Sequence, residues 1–336
     1  MMGHTLVITP QERMERRNRF SSDFDSAINN RKYIKQSNSK TVCVDQGFLI
    51  WKSILEKHYH RAPASQDWLQ FRNSSIWRNG HNHYHSVLDS SQINLLKNCI
   101  LEGQAQLTEK NLQTKDNQPS TSIENLIQND SKRNAVIQTL SHSIGAWQNY
   151  FLPKNFCLIP WRAFSYTTFP ETYSVSQKWH YDMNIPDNVV YFMLNLSDYD
   201  ESIKSGTAFL SAEQSANLSM HSDYISAPVD FRINDFNELS GVDTHGINAA
   251  FYPSTPGQLI AFQPGRALHK GVFNPKDRRD NIHISTTIVS RDTTIEIEHN
   301  GSRKTEITDN AIKTCWQFAC SEAGNKSNSA PYIEFD

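Results

Sequence analysis

The sequence contains no run approaching about 18 consecutive apolar residues, the length a membrane-spanning helix needs. Net charge is also nearly absent, with 33 Lys and Arg against 35 Asp and Glu and a formal balance of -2. A chain with no excess of positive charge has no electrostatic footprint for DNA or RNA, so nucleic acid is not an expected partner. Cysteine is scarce: five residues, an odd number, with no CxxC spacing. That excludes a disulfide framework and the usual structural zinc sites, and it predicts free thiols in a reducing compartment. The N-terminus, MMGHTLVITPQERMERRNRF, turns polar after about nine residues and lacks the apolar stretch of a signal peptide. Gly3 does not directly follow the initiator Met, which argues against myristoylation. A cytoplasmic protein with no membrane partner is the expectation.

Bulky core material is present despite a hydrophobic fraction of only 38%: 17 Phe, 12 Tyr and 7 Trp. A chain of 336 residues buries roughly three quarters of its unfolded surface, so a sizeable core is available. The pattern divides the chain into regions of one integrated domain: a mainly helical region over 1–155, a strand-rich core over 156–300, and a C-terminal helix and tail over 301–336. In the first region, Pro10 opens a helix, Phe48, Leu49, Trp51, Ile54 and Leu55 form a helical stripe, and Ser90/Ser91 cap a helix carrying Ile93, Leu96 and Ile100. Residues 103–120 are polar and read as a loop. A further helix starts at Ser122, and the stripe Val136, Ile137, Leu140, Ile144 and Trp147 stops before Pro153.

From Phe156 the period changes to that of short strands: Phe156–Tyr166, Val189–Leu196, Thr207–Leu210, Gln258–Phe262, Asn281–Val289 and Thr293–Glu298, punctuated by Gly206, Pro256-Gly257 and Pro264-Gly265. Short strands at this spacing predict a jelly-roll sandwich or barrel, and so an α+β protein overall. Residues 213–253 carry no clear strand and read as an insertion. Ile312, Cys315, Trp316 and Ala319 predict a helix over Asp309–Cys320 that packs back on the sheet.

The chemistry concentrates in the strand half. Trp179-His180-Tyr181-Asp182 puts an imidazole and a carboxylate at i and i+2, on one face of an extended segment. His269 follows the strand Gln258–Phe262 and a Pro-Gly turn. Two neutral imidazoles and one carboxylate make the facial triad of non-haem Fe(II) sites. In Asp277-Arg278-Arg279-Asp280-Asn281-Ile282-His283-Ile284-Ser285, alternation couples the choice of arginine to everything after it. If Arg279 faces the pocket, so do Asn281, His283 and Ser285, and Ile282, Ile284 and Ile288 face outward under helices. If Arg278 faces the pocket, the isoleucines fill it. The first register suits a polar site, where Arg279 pairs with a carboxylate. His81-Asn82-His83-Tyr84-His85 and His58-Tyr59-His60 lack a placed carboxylate and read as solvated loops that bind metal only adventitiously.

His180 and Asp182, SGTAFL at Ser205–Leu210, GQLIAFQPGRALHKGVFNP at Gly257–Pro275, and RRDNIHIS together resemble the Fe(II)/2-oxoglutarate-dependent dioxygenase superfamily, its prolyl-hydroxylase-like and phytanoyl-hydroxylase-like members in particular. The resemblance covers about residues 155–292. It implies a double-stranded β-helix (jelly-roll, cupin-like) core with a helical N-terminal half and a C-terminal helix. It implies Fe(II) held by His180, Asp182 and His269, 2-oxoglutarate held through Arg279, and O2 as co-substrate. Asp182 is retained where halogenating relatives have Gly or Ala, which implies hydroxylation, desaturation or oxidative cyclisation. Asn195, Tyr191 and Ser285 are expected near the cosubstrate, although core packing suits Tyr191 equally. Tyr166, Arg162, Trp179, Arg232 and His245 are candidate substrate contacts, the last two on the insertion, which is expected to act as a lid. A small, amino-acid-derived metabolite is the favoured substrate, with a peptide or protein hydroxylase and a non-enzymatic cupin-type binding protein as alternatives.

Overall fold

The structure, a computed structural model, describes residues 74–84, 88–106, 113–115, 118–169, 175–182, 189–197, 205–215, 218, 232–238, 246–272, 278–291, 294–297, 303–307 and 309–326. The helices expected after Pro10 and over 47–58, and the His58–His60 motif, lie outside these residues.

Twelve strands are described: β1 (His81–Tyr84), β2 (Gln113–Lys115), β3 (Gln118–Ser122), β4 (Phe156–Thr168), β5 (Val189–Asn195), β6 (Gly206–Phe209), β7 (Ala250–Pro253), β8 (Leu259–Phe262), β9 (His269–Val272), β10 (Arg279–Ser290), β11 (Thr294–Ile297) and β12 (Arg303–Glu306). They form a seven-stranded sheet in the order β1-β8-β5-β10-β4-β3-β2, a three-stranded sheet β7-β6-β9, and the hairpin β11-β12. Every pairing is antiparallel. The helices are α1 (Ser75–Asn79), α2 (Ser90–Gln106), α3 (Ile123–Leu126), α4 (Asp130–Phe151), α5 (Asp309–Ala319) and α6 (Glu322–Lys326). The chain is therefore a mixed protein of helices and antiparallel sheets.

The helices cover one face of the large sheet because that face is apolar. On β10, Ile282, Ile284 and Ile288 are buried with Val190, Phe192 and Leu194 of β5 and Leu259 and Ala261 of β8. Over them lies the α4 stripe Val136, Leu140, Ile144 and Trp147, joined by Trp316 and Ala319 of α5. Each of the Val, Leu, Ile and Phe side chains among these contributes about 1.5–3 kcal/mol on burial. The alternation expected along β10 is thus observed, with the isoleucines beneath helices and Arg279, Asn281, His283 and Ser285 on the other face. Helix α4 begins where the Asn129 side chain accepts from the Lys132 amide at 3.0 Å and ends before Pro153. The first turn of α3 is capped by Ser122, which accepts from the Asn125 amide at 3.1 Å.

Three expectations are corrected. The cap of α2 is Asp89, not Ser90 or Ser91: Asp89 accepts from the Gln92 amide at 2.8 Å, and Gln92 accepts from the Asp89 amide at 3.0 Å, a reciprocal box. Residues 103–120 are not simply a loop; α2 runs to Gln106, and β2 and β3 extend the large sheet beyond β4. Polar strands at a sheet edge carry no apolar period, so the sequence pattern is silent there. The His81 motif is a strand rather than a solvated loop. β1 pairs with β8, His81 opposite Phe262 and His83 opposite Ile260, and His85 lies outside the described residues. Gly80 makes this possible: at φ 73° it ends α1 in the left-handed region and turns the chain into β1.

Candidate metal centre and its chamber

The second face of the large sheet looks at the small sheet. Met193, Ile260 and Phe262 from the one pack against Phe209 of the other, with Tyr191 and Tyr252 at the margin. The inward side chains form rows across the strands. Arg162, Ser285, Tyr191, Phe262 and His81 make one row, and Phe164, His283, Met193, Ile260 and His83 the next. Tyr166, Asn281 and Asn195 follow, and Thr168 beside Arg279 ends the series.

Opposite these rows, His180 bridges to β9. Its amide donates to the His269 carbonyl, and its carbonyl accepts the reverse bond from the His269 amide, both at 3.0 Å. Two residues 89 positions apart thereby become a hydrogen-bonded antiparallel pair, with ring centroids 4.3 Å apart. The Asp182 amide donates to the Pro264 carbonyl at 3.0 Å, which holds the carboxylate over the same point. The ligand atoms of His180, Asp182 and His269 all lie within 4.8 Å of one another.

The donor set fits a metal. The Nδ1 of His180 lies 2.7 Å from the Lys178 carbonyl and that of His269 lies 2.9 Å from the Ala267 carbonyl. A carbonyl only accepts, so each Nδ1 carries the proton and each Nε2 presents a lone pair. These Nε2 atoms stand 3.8 and 3.9 Å from the Asp182 carboxylate oxygens, too far for direct hydrogen bonds. Three acceptors converging on one point call for a cation between them. Burial also holds the His269 imidazole below its ordinary pKa, in the neutral form that ligates metal.

Arg279 is buried at the far end of the rows, 3% exposed. Its guanidinium donates to the Gly206 carbonyl at 2.8 Å, to Thr207 Oγ1 at 3.0 Å and to Asn195 Oδ1 at 3.4 Å. Burial lowers its pKa to about 10, so it stays charged at neutral pH. Arg278 points the other way, onto Asp280 at 3.0 Å and the Phe169 ring.

The structure gathers most of the other candidates around the same chamber. Asn195 is buried beside Arg279. Tyr191 and Ser285 share a side-chain hydrogen bond, and burial pushes the Tyr191 phenol well above its ordinary range. Tyr166 is close enough to Arg279 to interact with its charge, and Arg162 reaches the field of Asp182. Arg232 is close enough to His269 to disfavour its protonation. His245 lies outside the described residues. Trp179 is a correction: the alternation that turns His180 and Asp182 inward turns Trp179 and Tyr181 outward. Trp179 packs in an apolar cluster with Phe236, Ile233 and Leu218 on the back of the small sheet. The described parts of the 213–253 insertion supply those partners, and its last residues form β7, a strand the pattern did not show.

Sequence reasoning missed two groups. Gly206 and Thr207 orient Arg279; only their place in the SGTAFL motif hinted at it. His81, 6% exposed, is hydrogen-bonded to the Tyr252 hydroxyl at 2.8 Å and stacks on Phe209, whose ring in turn stacks at 5.9 Å from His269. Phe262 flanks the same imidazole at 4.8 Å.

No family model matches the sequence, and no curated protein matches it. Among solved structures the chain is similar to the non-haem α-ketoglutarate-dependent epimerase SnoN from nogalamycin biosynthesis, with 15% identity over 74% of this chain and 98% of that one and a TM-score of 0.43. It is similar to AviO1 from Streptomyces viridochromogenes Tue57, with 13% identity over 67% of this chain and 96% of that one and a TM-score of 0.40. It is also similar to a Trichoplax adhaerens prolyl hydroxylase solved with a hypoxia inducible factor peptide fragment, with 12% identity over 69% of this chain and 95% of that one and a TM-score of 0.40.

Proposed function

We propose that the chain is a non-haem Fe(II)/2-oxoglutarate-dependent oxygenase acting on a small-molecule metabolite. The observation that carries this reading is the convergence of two Nε2 lone pairs and a carboxylate within 4.8 Å, in one chamber with the buried Arg279. The two facing sheets, closed by the His180–His269 bridge, support the double-stranded β-helix implied by the motif resemblance.

When bound, Fe(II) with 2-oxoglutarate and O2 supplies oxidation of an unactivated C–H bond. His180, Asp182 and His269 would hold the ion, leaving positions open for cosubstrate and O2. Arg279 presents a planar fork to the distal carboxylate. Asn195, Thr207 and the Gly206 carbonyl keep that fork oriented, so little ordering is left to the moment of binding. Phe209 and Phe262 wall His269 and exclude water from that side.

The test is anaerobic addition of Fe(II) and 2-oxoglutarate, followed by a succinate-release screen over metabolite pools. A visible charge-transfer band that needs both additions, and metabolite-dependent succinate, support the reading. Metal binding without the band or succinate would favour the cupin-type binding protein instead.

A further inference from the structure

The chamber holds a second guanidinium to which the proposed reaction assigns no task. Arg162 stands on β4 opposite Ser285, six positions along β10 from Arg279. At about 3.3 Å per residue this sets the two arginines roughly 20 Å apart along the ladder. On the small sheet, His269 stands opposite Phe209, three positions along β6 from Gly206, whose carbonyl accepts from Arg279. Asp182 falls within the electrostatic reach of Arg162, and the His283 imidazole, in an intermediate row, feels Arg162, Arg279 and His269 together.

Arg162 is oriented but sparsely bonded. Its guanidinium lies 4.4 Å over the Phe164 ring. One Nη reaches Asn325 Oδ1 of α6 at 3.5 Å, the limit of a hydrogen bond. Its buried Nε has no hydrogen-bond partner among the described residues. A largely desolvated cation held this way is costly unless an anion meets it. Asp182 is committed to the metal position, and a carboxylate that ligates a cation has little charge left to give. The walls near Arg162 are aromatic: Phe164, Tyr191, and Trp161 at 6.3 Å from Tyr191.

We propose that Arg162 binds a carboxylate of the primary substrate, so that the substrate class is a small carboxylic acid with an apolar or aromatic body. It would be held at the pole opposite 2-oxoglutarate, with the metal between the two anions. The inference rests on the proposed function for the place of the cosubstrate and adds the recognition group for the substrate.

The test uses the full chain with Fe(II) and excess 2-oxoglutarate under anaerobic conditions, titrated by calorimetry with 3-phenylpropionate and with 3-phenylpropionamide. The acid is expected to bind at least about tenfold more tightly than the amide. Arg162→Gln should erase that preference while leaving 2-oxoglutarate and iron affinity within about twofold, and Arg162→Lys should keep part of it. Absence of saturable acid binding at about 10 mM, equal binding of acid and amide, or a preference that survives Arg162→Gln would each overturn the proposal. Arg162→Gln weakening iron or 2-oxoglutarate instead would also overturn it, by making the residue a partner of Asp182 or of the cosubstrate. Acid preference without any charge-transfer band would sink the proposed reaction and leave Arg162 as an anion site.

Discussion

Replacing Arg279 by Gln keeps an amide donor and much of the volume while deleting the charge. The guanidinium is 3% exposed and, at a pKa lowered to about 10, enters the chamber as a cation. Its named hydrogen-bond partners, Gly206 O, Thr207 Oγ1 and Asn195 Oδ1, are neutral. These oxygens hold it in place and carry no formal charge, which a cosubstrate carboxylate would bring. Removing one member of a desolvated charge pair costs about 2–5 kcal/mol. At about 1.4 kcal/mol per decade, the dissociation constant of 2-oxoglutarate should rise roughly thirtyfold to several thousandfold. The variant also strips donors from those three oxygens, at about 1 kcal/mol each, so its unfolding curve must be measured alongside. Arg278→Ala is the control. Arg278 faces Asp280 with its side chain 36% exposed, and its loss should cost at most about 1 kcal/mol of stability and leave cosubstrate affinity unchanged. The assay is anaerobic titration of the Fe(II)-loaded protein with 2-oxoglutarate, read at the charge-transfer band. An Arg279→Gln affinity within about threefold of the parent, or an equal loss in Arg278→Ala, would refute the reasoning.

His180→Ala and His269→Ala should each lose tightly held iron and the charge-transfer band, as metal analysis and absorbance would show. Gly206→Ala should weaken both folding and 2-oxoglutarate binding, because a Cβ there would lie 2.3 Å from the Tyr252 carbonyl and displace the oxygen that orients Arg279; urea unfolding and the same titration check it. His81 carries a pH signature: burial lowers its pKa from 6.5 to about 4. The unfolded chain therefore binds its proton first as pH falls, so this stability contribution is full above pH 6.5 and is lost between 6.5 and about 4. Wild-type unfolding free energy should drop more steeply across that window than that of His81→Gln, by about 1 kcal/mol per pH unit; parallel slopes would show that His81 does not titrate this way. Trp147→Phe should cost about 1–3 kcal/mol in urea unfolding, since the fully buried indole also donates to Asn82 Oδ1 at 3.0 Å and ties α4 to β1.

Local chemistry was enough to read several features from the sequence. The α4 stripe and its stop before Pro153, and the inward side of Arg279, follow from periods of 3.6 and 2 acting on neighbouring residues. So does the shared face of His180 and Asp182. The period is silent where residue types do not alternate. β4 is buried on both faces over most of its length. Its pairing with β10 shifts between Ser285 and Thr286, so that Arg162 opposes Ser285, Pro160 opposes Thr286, and Trp161 is left between them. Arg162 is a candidate contact from the sequence, yet the strand's own pattern does not fix which side it faces. β1 is equally hidden, because His-Asn-His-Tyr has no apolar residue at alternate positions and takes its strand character from backbone bonds to β8. That His180 and His269 meet was expected from the motif resemblance and from no local period; tertiary structure alone decided that Gly206 and Thr207 orient Arg279 and that Trp179 faces away. Each depends on which distant strand lies alongside and in what register, and hydrogen bonds between backbones carry no trace of themselves in the side chains they bring together.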